Sequence, residues 1–240
     1  MFRDPAHKEQ WLSFVCQRGV LGFFAQPVTL RSGRVSHWYV NWRDVAEDVW
    51  ALDQCVTFLL EFVAGLPEAP DTIFGVAEGA SKLALLAQYR YAKQSSHFGP
   101  QTHCLAMGRG KLKTHGASKD RYFLGVPRGK TLLIEDVTTT GDSLLGALET
   151  LREAEVDVIG ALCLTDRCEQ RADGQRLSDI LGALGIPFWS MSDIRTLLPL
   201  VWKQSPPPVE LQPAILAEAT ELFGADASSL LQKGGVLPCE

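Results

Sequence analysis

The sequence predicts an α/β protein built on a central, mostly parallel sheet flanked by helices. Three observations carry this. Short apolar runs of strand length, at 72–77, 131–134, 156–164 and 186–191, alternate with helical patterns at 49–64, 82–92, 145–154 and 177–184. The runs are short and bounded, as strands buried in a parallel sheet are. The stretch Thr131 to Leu148, TLLIEDVTTTGDSLLGAL, passes from such a run through a tight turn into a helix start.

From the N-terminus, Lys8 to Arg18 reads as a helix with Trp11, Leu12, Phe14 and Val15 on its apolar face. Phe23 to Val45 has strand-forming residues around a turn, Arg31-Ser32-Gly33-Arg34, and reads as a hairpin. Arg31, Arg34, Trp38, Tyr39 and Arg43 crowd this segment. It is either a solvated hairpin with aromatics against the core or a hood of arginine and aromatic groups over a planar anion. Val49 to Ala64 has Leu52, Val56, Leu59, Leu60 and Val63 at helical spacing, which makes a core-facing helix. Gly65 stops it, and Pro67 and Pro70 keep it from resuming. Thr72 to Ala77 reads as a strand, Glu78-Gly79-Ala80-Ser81 as a loop, and Lys82 to Ala92 as the next helix. His103 to Met107 reads as a further strand. The most basic stretch follows, Gly108 to Tyr122, with Arg109, Lys111, Lys113, His115, Lys119 and Arg121. On composition alone it is a solvated hairpin.

In the central stretch, Leu132, Leu133 and Ile134 precede two carboxylates, Glu135 and Asp136. Then come Val137, three threonines (Thr138, Thr139, Thr140), Gly141, Asp142 and Ser143. Gly141 supplies the backbone freedom a tight turn needs. Backbone N–H groups and hydroxyls at a helix N-terminus suit a phosphate monoester. Acceptor-only carboxylates suit two ribose hydroxyls, directly or through a metal. A ribose 5-phosphate satisfies both halves. An ordinary strand–turn–helix capped by Asp142 or Ser143 accounts for part of the pattern.

Val156 to Leu164 gives another strand, ending in Thr165-Asp166-Arg167. The carboxyl edge of a parallel sheet is where open α/β sheets bind ligands; a surface ion pair is the plainer account of Arg167. Leu177 to Leu184 is helical, Ile186 to Met191 is a last strand, and Asp193 caps a helix through Leu198. After Pro206-Pro207-Pro208, Leu216 to Phe223 forms one more helix. The plan is an N-terminal helix and hood over residues 1–48, an α/β core over 49–203, and a C-terminal extension over 204–240 to which the sequence assigns no chemistry.

Composition narrows the function classes. The 240 residues are 46% hydrophobic and 21% charged, ordinary for a globular chain. A net charge of −5 gives no basic field for nucleic acid, so a small anionic substrate must be met by local basic residues. No apolar run approaches a membrane span, and MFRDPAHKEQ is too polar for a signal peptide. The six cysteines include no CxxC and no Cys/His zinc spacing, which points to reduced thiols. The expectation is a cytoplasmic protein with neither membrane nor nucleic-acid partners.

Three segments resemble one family. TLLIEDVTTTGDSLLGAL resembles the phosphoribosyl-diphosphate (PRPP) signature of type I phosphoribosyltransferases. TLRSGRVSHWYVNWR is similar to the N-terminal signature of orotate phosphoribosyltransferases, a Lys-or-Arg-Ser-Gly-Arg turn before a Ser-x-aromatic-aromatic strand. The basic stretch resembles that family's catalytic loop, Arg-Lys-x-x-Lys-x-His-Gly. Arg109, Lys113, His115 and Gly116 match in register, and Gly110 stands where the family has its first lysine. The resemblance covers about Trp11 to about Val201. It implies the type I phosphoribosyltransferase fold with an N-terminal hood. The activity it implies is transfer of phosphoribosyl from PRPP to orotate, giving orotidine 5′-monophosphate and diphosphate in pyrimidine synthesis.

The resemblance also implies roles. Lys113, His115 and Asp136 would be catalytic. Arg109, Lys111, Lys113 and His115 would meet the diphosphate, as would the loop at Glu78, where relatives carry lysine or glutamate. Glu135 and Asp136 would hold the ribose hydroxyls, and Val137, Thr138, Thr139, Thr140, Gly141, Asp142 and Ser143 the 5-phosphate. Arg31, Trp38, Tyr39, Thr139 and Arg167 would face orotate. Mg²⁺ would be the cofactor, held mainly by PRPP with Glu135 and Asp136 as the available carboxylates. The assembly would be a homodimer with shared active sites. Two competing expectations are a phosphoribosyltransferase for another base and, because of Gly110, a PRPP-binding regulatory or non-catalytic homologue.

Overall fold

The computed structural model describes residues 1–30, 33–110, 122–235 and 237. The elements in chain order are α1 (Pro5–Gln17), β1 (Leu21–Thr29), β2 (Val35–Val40), α2 (Arg43–Glu47), α3 (Val49–Ala64), β3 (Thr72–Gly75), α4 (Ser81–Gln94), β4 (Met107–Gly108), β5 (Phe123–Leu124), β6 (Thr131–Thr138), α5 (Asp142–Glu153), β7 (Val158–Asp166), α6 (Leu177–Ala183), β8 (Phe188–Asp193), α7 (Ile194–Gln204), α8 (Gln212–Phe223) and α9 (Ala227–Lys233). Strands β3, β6, β7 and β8 form the central sheet in that order, and every pairing is parallel.

Successive side chains of a strand point to opposite faces, so a strand buried on both faces feeds two cores. Leu132 and Ile134 of β6, with Leu162 and Leu164 of β7, join a cluster with α1, α3, α4, α7 and the hood tryptophans. Leu133, between the first two in sequence, and Ala161, just before Leu162, join a second cluster with Leu144, Leu148 and Leu151 of α5 and Leu177 and Leu181 of α6. This explains why these runs read as continuously apolar.

The expected strand at 103–107 is not part of this sheet. Only Met107–Gly108 is extended, and it pairs antiparallel with Phe123–Leu124 in a separate two-stranded piece. The edge of β3 is instead satisfied by a side chain. Buried Gln88 of α4 accepts from the Ile73 N–H at 2.9 Å and donates to the Asp71 and Cys104 carbonyls at 3.1 and 3.0 Å. An amide carries both donors and an acceptor, so one glutamine replaces a rung of strand pairing.

Helix α1 starts earlier than Lys8. Asp4 caps it by accepting from the Ala6 N–H at 2.8 Å, and Pro5 takes the first helical position. Strands β1 and β2 form the hood hairpin; its register slips between Phe23 and Val28, next to Pro27, which has no N–H to give the ladder. Two helices, α2 and α9, were not foreseen. Apolar residues of the C-terminal segment, Ile215, Ala219, Phe223, Ala227 and Leu231, belong to the first core cluster. Among the described residues, no helix is long and apolar enough to cross a membrane.

Candidate active site

A cavity of about 830 Å³ opens at the carboxyl ends of β3, β6 and β7, within the size range of small-molecule sites. The hood roofs it: Leu30, Tyr39 and Val40 line it together with Asn41, Trp42 and Arg43 that follow β2. Trp42 fixes the hood to the sheet. Its ring stacks on Trp11 at 5.2 Å between centroids, and its Nε1–H donates to Thr165 Oγ1 at 3.1 Å.

Strand β6 runs beyond its apolar segment, so Glu135 and Asp136 are strand residues that reach the cavity. Glu135 is buried and Asp136 partly so. Burial pushes the Asp136 carboxyl above the usual aspartate range, although the Val137 and Asp136 N–H groups and the Arg43 charge pull the other way. The turn that follows needs glycine: Gly141 has φ +80°, and a Cβ there would lie 2.5 Å from Leu177. Gly141 is also the N-cap of α5, where the sequence suggested Asp142 or Ser143. Asp142 is instead engaged sideways. It accepts from Arg171 Nη1 at 2.5 Å and from Thr140 Oγ1 at 2.8 Å, and Arg171 also donates to the Thr140 carbonyl. Arg171 therefore neutralises the one carboxylate next to a helix N-terminus suited to an anion.

The loop after β3 forms the opposite wall through Val76, Ala77, Glu78 and Gly79, and the Ala77–Glu78 peptide is cis. Gly79 permits a close approach: a Cβ there would lie 2.5 Å from the Asp136 carboxylate. Gly110 is explained in the same way. A side chain at 110 would meet the Glu78 carboxylate, so the carboxylate at 78 and the missing side chain at 110 fit one another. Lys82 lines the same wall and donates to the Ala46 carbonyl at 3.3 Å.

Arg167 closes the far end. It is 2% exposed and lines the cavity. Its Nε donates to Glu169 Oε1 at 2.7 Å, Nη1 to the Trp38 carbonyl at 3.4 Å and Nη2 to Ser36 Oγ at 3.3 Å. Three of its five N–H groups are thus used among the described residues. Burial pulls the guanidinium down, and Glu169 opposes it. Arg167 is therefore a buried cation tied to the hood rather than a surface ion pair.

The structure brings Tyr39, Glu78, Glu135, Asp136, Val137, Thr139, Thr140, Gly141, Asp142, Ser143 and Arg167 to one cavity. Trp38 and Thr138 do not line it. Trp38 is a core residue under the Arg167 guanidinium, 5.9 Å from its ring centroid. Thr138 is buried and donates to Asp166 Oδ1 at 3.3 Å. Arg109 Nε donates to the Phe123 carbonyl at 3.3 Å. Arg31, Lys111, Lys113 and His115 lie outside the described residues. The sequence reading passed over Lys82, Asn41 and Glu47 as cavity residues, and Arg171 behind the turn. Lys82, following a strand–glycine loop, carried a usable signal; the others carried none.

Among the described residues no group of three or more His, Cys, Asp or Glu could cage a metal ion. Oxygen donors of the Glu135 and Asp136 type do fit Mg²⁺ that arrives on a substrate's phosphates, since Mg²⁺ usually takes one or two carboxylates and keeps its other ligands from substrate and water.

No protein-family profile matches the chain. It is 37% identical over 175 residues to the orotate phosphoribosyltransferase of Bradyrhizobium diazoefficiens, covering 68% of this chain and 83% of that relative. Among solved structures, the UMP synthase of Leishmania donovani superposes with a TM-score of 0.66 at 18% identity, covering 92% of this chain and 43% of that one. The orotate phosphoribosyltransferase of Francisella tularensis superposes with a TM-score of 0.59 at 19% identity, covering 93% and 96%. At such identities the structural likenesses bear on the fold alone.

Proposed function

Because the chain belongs to the orotate phosphoribosyltransferase family, we propose that it transfers the 5-phosphoribosyl group of PRPP to orotate, a step of pyrimidine synthesis. The observation that carries this is the single cavity joining the Glu135–Ser143 segment to Tyr39 and Arg167. One end suits a ribose 5-phosphate, the other a planar anionic base.

The reaction breaks the C1–diphosphate bond and forms a bond from C1 to orotate N1 through a cation-like ribose, and the N1 proton is released along with the diphosphate. No covalent nucleophile is needed, so position and charge stabilisation do the catalysis. Glu135 and Asp136 hold the ribose hydroxyls, and their charge lies near the developing positive ribose. The turn from Thr139 to Ser143 holds the 5-phosphate. Arg167 and the hood hold orotate. By their likeness to the family's loop, Arg109, Lys113 and His115 neutralise the leaving diphosphate. When bound, Mg²⁺ supplies further charge to that leaving group. The proposed assembly is a homodimer in which each loop serves the neighbouring site.

The test is turnover by the purified chain with PRPP, Mg²⁺ and orotate, with adenine and hypoxanthine as controls. Orotidine 5′-monophosphate formed from orotate alone is the expected result. Turnover with a purine would reassign the base, and PRPP binding without turnover of any base would make the chain non-catalytic.

A further inference from the structure

Four charged residues of alternating sign run from the cavity to the C-terminal segment. Arg167 donates to Glu169 Oε1 at 2.7 Å. The same carboxylate takes a two-pronged contact from Arg34 on the hood, Nη2 to Oε1 at 2.7 Å and Nε to Oε2 at 3.3 Å. Arg34 Nη1 then donates to Glu218 Oε1 on α8, and Glu218 Oε2 accepts from the His37 N–H of β2 at 2.9 Å. The side chains of Arg167, Glu169 and Glu218 are 2%, 4% and 8% exposed and that of Arg34 22%, so solvent screens little of this row. Both guanidiniums lie over the Trp38 ring, each 5.9 Å from its centroid.

Charge balance makes the far end matter to the near end. Burial would raise the Glu169 carboxyl, but Arg34 and Arg167 outweigh it and hold it below the usual range. Glu169 is thus shared between two cations, and Glu218 offsets the second of them. Without Glu218, Glu169 is the one carboxylate left to Arg34 among the described residues, and Arg34 competes with Arg167 for the shared oxygen. Removing one member of a buried ionic set leaves an uncompensated charge for the others to absorb.

We propose that Glu218, in the extension beyond the sheet, is a positioning residue for the base: acting through Arg34 and Glu169, it sets the stance of Arg167 at the cavity. The inference rests on the reading of Arg167 as the base-side cation. It gives α8 a part in substrate selection, although α8 does not line the cavity.

The test compares wild type with Glu218→Gln, whose amide oxygen keeps the His37 contact but carries no charge, and with Glu218→Asp, which keeps the charge. KM for orotate in Glu218→Gln should rise about tenfold, as members of one charge network couple. KM for PRPP should stay within about twofold, since the acid pair and phosphate turn lie outside that network. Glu218→Asp should recover most of the loss. Should Glu218→Gln not fold, Arg34→Lys, which loses the fork but keeps the charge, should show the same split. An unchanged orotate KM, whatever the melting temperature, would overturn the inference by reducing Glu218 to a strut, as would equal rises for both substrates. Wild type that does not turn over orotate would instead remove the base reading itself, and this inference with it.

Discussion

Arg171, on the loop after β7, holds Asp142 of the phosphate turn at 2.5 Å and the Thr140 carbonyl at 2.9 Å. The pair is 25% and 60% exposed, so it contributes little to folding, about 1 kcal/mol or less. Its effect should fall on binding. Arg171→Ala should keep its melting temperature within a few degrees and raise KM for PRPP about three- to tenfold, because the Asp142 charge, no longer offset by Arg171, then opposes the 5-phosphate proposed for this turn. Unchanged PRPP kinetics in this variant would show that Asp142 exerts no field on the turn.

Asp136→Asn should lose about ten- to a hundredfold in kcat/KM for PRPP, the value of a charge-assisted contact of about 1.5–3 kcal/mol. Stability should move the other way. The folded protein raises the Asp136 pKa by burial, so it retains a proton that the unfolded chain has released. Stability contributed by this group therefore falls as pH rises from the ordinary aspartate value of about 3.9 through the raised one, and the penalty is constant above. At neutral pH the asparagine variant should melt no lower than wild type. Wild-type activity should decline on acidification at a pH above the ordinary aspartate value, as the carboxylate proposed to hold ribose is protonated. A melting temperature well below wild type would show the charge to be structural.

The Glu78 carboxylate occupies the space that a side chain at Gly110 would enter. Gly110→Lys should fold, since the end of a glutamate side chain can swing away. It should leave KM for PRPP within about twofold, because the new ammonium pairs with Glu78. Gly110→Lys combined with Glu78→Gln should lower that KM by supplying an unpaired cation to the diphosphate. If the single Gly110→Lys change tightens PRPP by itself, Glu78 is not the partner that holds position 110.

Lys113, matched to the family's loop, is expected to act on the leaving diphosphate as its charge grows. Lys113→Ala should then lower kcat with little change in melting temperature. Mixing Lys113→Ala with Asp136→Asn under subunit exchange should restore activity if the loop serves a neighbouring chain, because some hybrid dimers then hold one intact site. No recovery, with exchange confirmed, would put loop and ribose site in the same chain.

The sheet was legible because its strands are apolar on both faces, and the turn after β6 because Gly141 and the helical pattern that follows it mark the change of element. The run at His103 misled for a physical reason: apolar content does not say what satisfies a neighbour's edge, and here Gln88 does that from a helix, leaving Leu105 of the run exposed. The start of α1 was readable in Asp4 and Pro5 but is polar, so periodicity missed it. Arg34 and Glu218 are 184 residues apart, and nothing local at either position announces the other. Trp38 and Tyr39 look alike as an aromatic pair, yet alternation along β2 sends only Tyr39 to the cavity.

Trp42 leaves the hood no seam. Its indole is stacked on α1 and hydrogen-bonded to the end of β7, and Thr165 in turn meets Ser192 of β8 at 3.1 Å. A hairpin exchanged in from a relative would have to bring its own group at position 42 to meet Trp11 and Thr165, or leave the hood untied from the sheet. New selectivity in this scaffold should therefore come from point substitution within the resident hairpin, and cassette exchange should yield chains that fail to fold.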